Sequence, residues 1–159
     1  MIRFGARISY AIVEQGEVWR LFTAAFVHYN FDHLEGNLVM LGLFIFVCEM
    51  VMGKFAILVI YLGAAAGGSL FASVFADYWS IGASGSVMGF IGAITSILIV
   101  NRVGMRPETC FVLALPVFVM SYFQLIGNLA SIGGETDLLA HLGGYTFGML
   151  LGNILCPSM

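Results

Sequence analysis

The chain alternates long apolar runs with short polar breaks, and the runs have the length of membrane helices rather than strands. A helix needs about 20 predominantly apolar residues to cross the hydrocarbon core. Five stretches meet that need: 34–52, 55–76, 81–100, 109–129 and 138–155. The first is the most polar, with Glu35, Asn37 and Glu49. The second, third and fourth hold no Asp, Glu, Lys or Arg, and the last holds only His141. The pattern predicts an all-α polytopic membrane protein, one membrane domain over residues 1–159, with residues 1–32 as a loop region at the outer face. None of the runs has the flanks of a cleavable signal.

The breaks between runs set the orientation. Gly53-Lys54 and the segment 101–108 carry Lys54, Arg102 and Arg106, whereas 76–79 and the loop through Glu135 and Asp137 carry acids and no Lys or Arg. The positive-inside rule puts the first pair of loops in the cytoplasm. The first helix then runs from outside to inside, and the third and fifth begin at the outer face. Tyr78 and Trp79 suit that interface. Arg3, Arg7 and Arg20 fit less well on an outer segment, even with Glu14, Glu17 and Asp32 beside them. Either the segment is a folded outer loop, or a helix normally precedes it.

Composition agrees with lipid as the solvent. The chain is 60% hydrophobic and 9% charged over 159 residues, against about 25% charged in a typical soluble domain. A net charge of −3 and the lack of a Lys/Arg cluster argue against a nucleic-acid partner. Cys48, Cys110 and Cys156 show no CxxC spacing and read as packing thiols. His28 and His33 are five apart and no His-Glu-x-x-His occurs, which argues against a zinc site.

Ionisable groups inside a span cost roughly 2.5–3.5 kcal/mol each on insertion scales, so they normally face a cavity or a partner. His33 and Asn37 are four apart and share a helical face. By topology they lie at the outer end of the first helix, Ser84 at the outer end of the third, and His141 a few residues into the fifth. Four polar groups thus fall at one depth. Ser84 would need a base to become a nucleophile, and His141 suits that role. His33, Asn37 and the Ser84 backbone N–H could stabilise an oxyanion. No aspartate lies within a span to orient His141, which points to a dyad. Gly85 and Gly89, and Gly144, Gly148 and Gly152, recur at intervals of four, the spacing that lets membrane helices touch closely. Each residue also has a plain reading: a serine beside glycine often only packs, and a lone histidine can bridge two helices.

These residues resemble the motifs of the rhomboid family of intramembrane serine proteases, over nearly the whole chain. Gly82-Ala-Ser84-Gly85 is similar to the family's Gly-x-Ser-Gly, which implies Ser84 as nucleophile. His141-Leu-Gly-Gly144 lies in a segment similar to the one carrying its catalytic histidine, and Gly148 extends it. His33-Leu-Glu-Gly-Asn37 is similar to the family's His-x-x-x-Asn, implying the oxyanion site. The resemblance also implies supporting roles for His28, for Trp19-Arg20 in the first outer loop, and for Glu49 in holding that loop. Met88 stands where an aromatic residue often packs on the histidine. A rhomboid-like helical bundle follows, with six helices in the family core and five here, so that a truncated start is expected. The resemblance implies cleavage of transmembrane protein segments near the outer face, with no metal or other cofactor; the short loops and lack of a presequence fit a prokaryotic inner membrane. A catalytically inactive relative that binds transmembrane clients is the alternative.

Overall fold

A computed structural model describes residues 4–101, 104–130 and 137–156, with the side chains of all of these except 101 and 123–130. Arg3, Arg102 and Glu135 lie outside the described residues. Five long helices form the body: α3 (Phe31–Glu49), α4 (Lys54–Phe75), α5 (Ser84–Asn101), α6 (Pro107–Ala130) and α7 (Leu138–Leu155). The chain is an all-α polytopic membrane bundle. Helices α3, α4 and α7 are each long and apolar enough to cross a bilayer, and the described parts of α5 and α6 are shorter apolar helices. Large apolar side chains such as Phe46, Phe55, Phe75, Phe111 and Phe118 point outward. Such a surface suits lipid and would aggregate in water.

Helix starts are set by local chemistry. Asn30 accepts a hydrogen bond from the His33 N–H at 2.8 Å, so α3 begins at Phe31, three residues before the apolar run. Asp137 caps α7 in the same way, accepting from the Ala140 N–H at 2.9 Å. The third span starts as helix only at Ser84, because Gly82 has φ +124°, which no helix contains.

Residues 4–30 are built into the fold rather than left as an open loop. They form β1 (Arg7–Ile8), α1 (Ser9–Val13), α2 (Arg20–Thr23) and a 3₁₀ turn (Ala24–Phe26). Strand β1 pairs antiparallel with β2 (Trp79–Ser80), setting Arg7 opposite Ser80 and Ile8 opposite Trp79. Arg7 is 0% exposed and Arg20 7% exposed. They are internal, paired groups, so they do not contradict the orientation read from the other loops.

The core is centred on Phe44 of α3, Ile60 of α4, and Phe90, Ile91, Ile94 and Ile97 of α5, with Leu113 of α6 against it. Helix α7 lies chiefly against α5 and α4. Its glycine face makes this possible. A Cβ on Gly144 would stand 2.2 Å from the Gly85 carbonyl oxygen, and one on Gly148 only 1.9 Å from that of Gly89. On the α4 side, a Cβ on Gly68 would stand 2.5 Å from the Ala140 carbonyl oxygen. The three helices therefore touch backbone to backbone, and this fixes α7 relative to α5.

Candidate active site

The starts of α3, α5 and α7 meet at one end of the bundle around a cavity of about 640 Å³. His33, Asn37, Ser84 and His141 all line it, joined by Tyr29, Asp32 and Asp137. Apart from Ser80, its remaining wall is apolar and includes Met40 and Leu43 of α3, Val87 of α5, and Pro116, Val119 and Met120 of α6. The four polar groups placed at similar depth by topology thus share one space.

Ser84 is the first residue of α5, and His141 lies in the first turn of α7. The Ser84 Oγ and the His141 Nε2 are 2.8 Å apart, within the reach of a nucleophile and its base. His141 is buried at 6% exposure, and its Nδ1 has no hydrogen-bond partner among the described residues. In the tautomer whose Nε2 accepts the serine proton, Nδ1 carries the hydrogen, and no described carboxylate receives it. Among the described residues the contact joins two side chains, Ser84 and His141, with no third on the ring.

His33 and Asn37 flank the serine. A Cβ on Gly82 would stand 2.8 Å from the His33 Cε1 and 3.0 Å from its Nε2. Glycine is therefore needed at position 82 twice over, for its φ of +124° and for the space the His33 ring occupies. One hydrogen of the Asn37 amide goes to the His33 carbonyl at 2.9 Å, leaving the other available. In the first turn of α5 the Ser86 and Val87 N–H groups donate to the Ala83 carbonyl, at 2.9 and 3.1 Å, which leaves those of Ser84 and Gly85 as the candidate donors. His33, Asn37 and Ser84 thus share one stretch of the cavity wall.

The supporting residues divide. His28 packs edge-on to His33, with ring centroids 5.1 Å apart, and its Nε2 accepts from the Ala83 N–H at 3.4 Å. Arg20 stacks on Trp19 with its Cζ 4.4 Å from the ring centroid, donates to the Ala6 carbonyl at 2.9 Å and pairs with Glu17. This pair stitches the N-terminal segment, residues 4–30, to itself. Gly85, Gly144 and Gly148 form the seam between α5 and α7. Met88 packs against the core and is not among the residues lining the cavity. The expectation for Glu49 is corrected. It ends α3, lies exposed, and borders the 50–53 and 105–109 segments at the opposite end of the bundle. At 1.5 Å per residue, α3 puts it roughly 27 Å from the outer segment it was expected to hold.

Three residues outside the expected set are tied to the site: Asp137, which lines the cavity, and Arg7 and Tyr78, which bond to it. Arg7 donates from Nη2 to the Asp137 Oδ2 at 2.9 Å, from Nε to the Ser80 Oγ at 2.8 Å, and from Nη1 to the Ser9 Oγ at 3.0 Å. The Tyr78 hydroxyl donates to the other Asp137 oxygen. Burial alone would raise the Asp137 carboxyl, but hydrogen bonds from Ser80, Tyr78 and the Ala140 N–H, with the Arg7 charge, hold it below its ordinary value. Burial and then the Asp137 hydrogen bond and charge push the Tyr78 hydroxyl up to about 12, so it stays a donor at neutral pH. An aspartate directly before an apolar run is a recognisable cap signal. Nothing local marks Arg7 as its partner.

His28 supplies a pH prediction. Burial first, then the charge of His33, hold its pKa below 6.5, against a smaller opposing bond to the Phe26 backbone. A neutral ring accepts from Ala83, and a protonated one cannot. With the folded value depressed, the stabilisation is present above 6.5 and is lost as pH falls through the folded value. Thermal unfolding in detergent is therefore expected to separate wild type from His28→Phe at about pH 8 and to bring them together at about pH 5.

A membrane helical bundle with a serine and a histidine in contact at the wall of one cavity defines a narrow class. The Rhomboid domain family model matches residues 15–158, and the chain belongs to the rhomboid family. It is similar to RHOMBOID-like protein 1 of Arabidopsis thaliana, at 34% identity over 151 residues, covering 94% of this chain and 38% of the relative. RHOMBOID-like protein 6, mitochondrial, of the same plant is 33% identical over 96% of this chain and 48% of its own. Rhomboid protease GluP of Bacillus subtilis is 30% identical over 91% of this chain and 27% of its own. The chain thus spans about a quarter to a half of the length of these relatives.

Proposed function

We propose that the chain is an intramembrane serine endopeptidase that cleaves transmembrane segments of other proteins by a Ser84–His141 dyad. The observation that carries this reading is the 2.8 Å contact between the Ser84 Oγ and the His141 Nε2. A rhomboid protease name among the relatives points the same way.

In the proposed reaction, His141 Nε2 takes the hydroxyl proton as Ser84 Oγ attacks the scissile carbonyl. The negative charge moves to the carbonyl oxygen, where His33, Asn37 and the Ser84 backbone N–H can donate to it. Collapse breaks the peptide C–N bond, and His141 returns the proton to the leaving amine. Water, deprotonated by the same ring, then attacks the acyl-enzyme and releases Ser84. Tight burial of His141 keeps bulk water off the base, while the cavity admits the substrate. A helical substrate hides its carbonyls in intrahelical bonds, so the segment must unwind to enter. The apolar wall from α3 and α6 would receive its side chains. The site opens at the outer face of the membrane, in the orientation read from the loop charges, and a prokaryotic inner membrane is the proposed setting.

Co-reconstitution with a single-span reporter carrying small residues at its outer end tests the reading. Wild type is expected to cut the reporter within its span, at a bond that mass spectrometry places near the outer face. An intact reporter, still bound by the folded protein, would instead assign the chain to inactive rhomboid-like proteins that hold transmembrane clients.

A further inference from the structure

Asp137 grips the first turn of α7 from two sides. Its carboxylate accepts from the Ala140 N–H at 2.9 Å, and its backbone carbonyl accepts from the His141 N–H at 3.0 Å. The carboxylate is in turn gripped by a guanidinium from β1, 130 residues away, which is 0% exposed and uses three of its nitrogens on Ser80, Ser9 and Asp137. Ser9 extends the network by donating to the carbonyls of Ala76 and Tyr78. Arg7 therefore joins three pieces: the outer segment, the strand leading into α5, and the cap of α7. These last two lead directly to Ser84 and His141.

A buried ion pair is a weak device for stability, since well-packed apolar residues often serve as well or better. It is a strong device for geometry, because a planar fork fixes direction as well as distance. Among the described residues, nothing bonds to the His141 Nδ1 to hold the ring. Its placement then depends on the seam with α5 and on where α7 begins. Asp137 also lines the same cavity as Ser84 and His141, so its negative charge faces the space where the imidazolium forms.

We propose that Asp137, held by Arg7, is a positioning residue for His141: it sets the start of α7 and places a carboxylate one turn from the imidazole. The proposal rests on the dyad reading for its effect on rate, but the tether itself does not. Through Arg7, the outer segment governs the geometry of a helix it never adjoins in the chain.

Two readouts test it, on Asp137→Asn, Arg7→Gln and the Arg7→Gln/Asp137→Asn double variant, each in the full chain. Hydrogen exchange at the Ala140 and His141 amides is expected to quicken in all three. Reporter turnover per folded molecule is expected to fall about 10- to 100-fold, the scale of a misplaced catalytic group, with KM within about twofold of wild type. The double variant is expected to lose no more than the worse single one, because both act through one link. Arg7→Lys, which keeps the charge without the fork, is expected to recover part of the rate. Unchanged exchange would overturn the tether, whatever the activity. Quickened exchange with unchanged turnover would overturn the positioning role and leave the network as a structural tie. If Arg7→Gln does not fold, Asp137→Asn and Arg7→Lys decide the question by the same readouts. A wild type that cuts no reporter would count against the dyad, while the exchange results would still judge the tether.

Discussion

Ser84→Ala is expected to reduce cleavage of a transmembrane reporter by at least ~10³-fold while leaving the fold intact. The hydroxyl is half-buried at the mouth of α5, and its partner is the His141 Nε2 at 2.8 Å. Its removal takes away the atom that would bond to the carbonyl carbon and leaves only binding and the oxyanion donors. His141→Ala is expected to do comparable damage by leaving Ser84 without a base. The two changes together should cost no more than the worse one alone, because a nucleophile and its base act as a unit. Turnover per folded molecule, with thermal unfolding to verify the fold, checks all three variants. An additive double variant would mean that the two residues act in separate steps.

Gly148→Ala is expected to have the largest effect on stability. The new Cβ would lie 1.9 Å from the Gly89 carbonyl oxygen and 2.6 Å from its Cα. These are backbone atoms of a packed helix and cannot swing aside. Helices α5 and α7 would have to separate by more than ~1 Å, forfeiting dispersion contacts along the seam. The cost should meet or exceed the ~1–3 kcal/mol usual for overpacking. Loss of the dyad should accompany it, since the same seam brings Ser84 to His141. Gly42→Ala is the control. A Cβ there meets nothing within 4 Å, and the change should be neutral or slightly stabilising. Thermal unfolding in detergent distinguishes the two.

Much of this architecture is legible in the chain because lipid imposes simple rules. Apolar run length marks the spans, and loop charge orders their ends. Those two facts alone bring His33, Asn37, Ser84 and His141 to one depth. The spacing of Gly144, Gly148 and Gly152 marks the close face of α7, since only backbone contact demands so regular a stripe. Gly63 and Gly67 are less legible. Their need for space arises from Leu151 and Phe147, large side chains on another helix. The strand pair is hidden because two residues per strand leave no alternation to detect. Arg7 is hidden for a different reason: its meaning lies in Asp137, and no local pattern links the two. Glu49 shows the opposite failure. A motif match places it with the outer segment, and the length of α3 carries it to the other end.

The most direct test of the central claim is labelling by a fluorophosphonate probe of wild type, Ser84→Ala and His141→Ala, each verified as folded in detergent. Such a probe bonds only to a serine whose proton a neighbouring base removes. Labelling of wild type alone, with the adduct mapped to Ser84, is the predicted result. Equal labelling of wild type and His141→Ala, or none of the folded wild type, would contradict an activated Ser84–His141 pair.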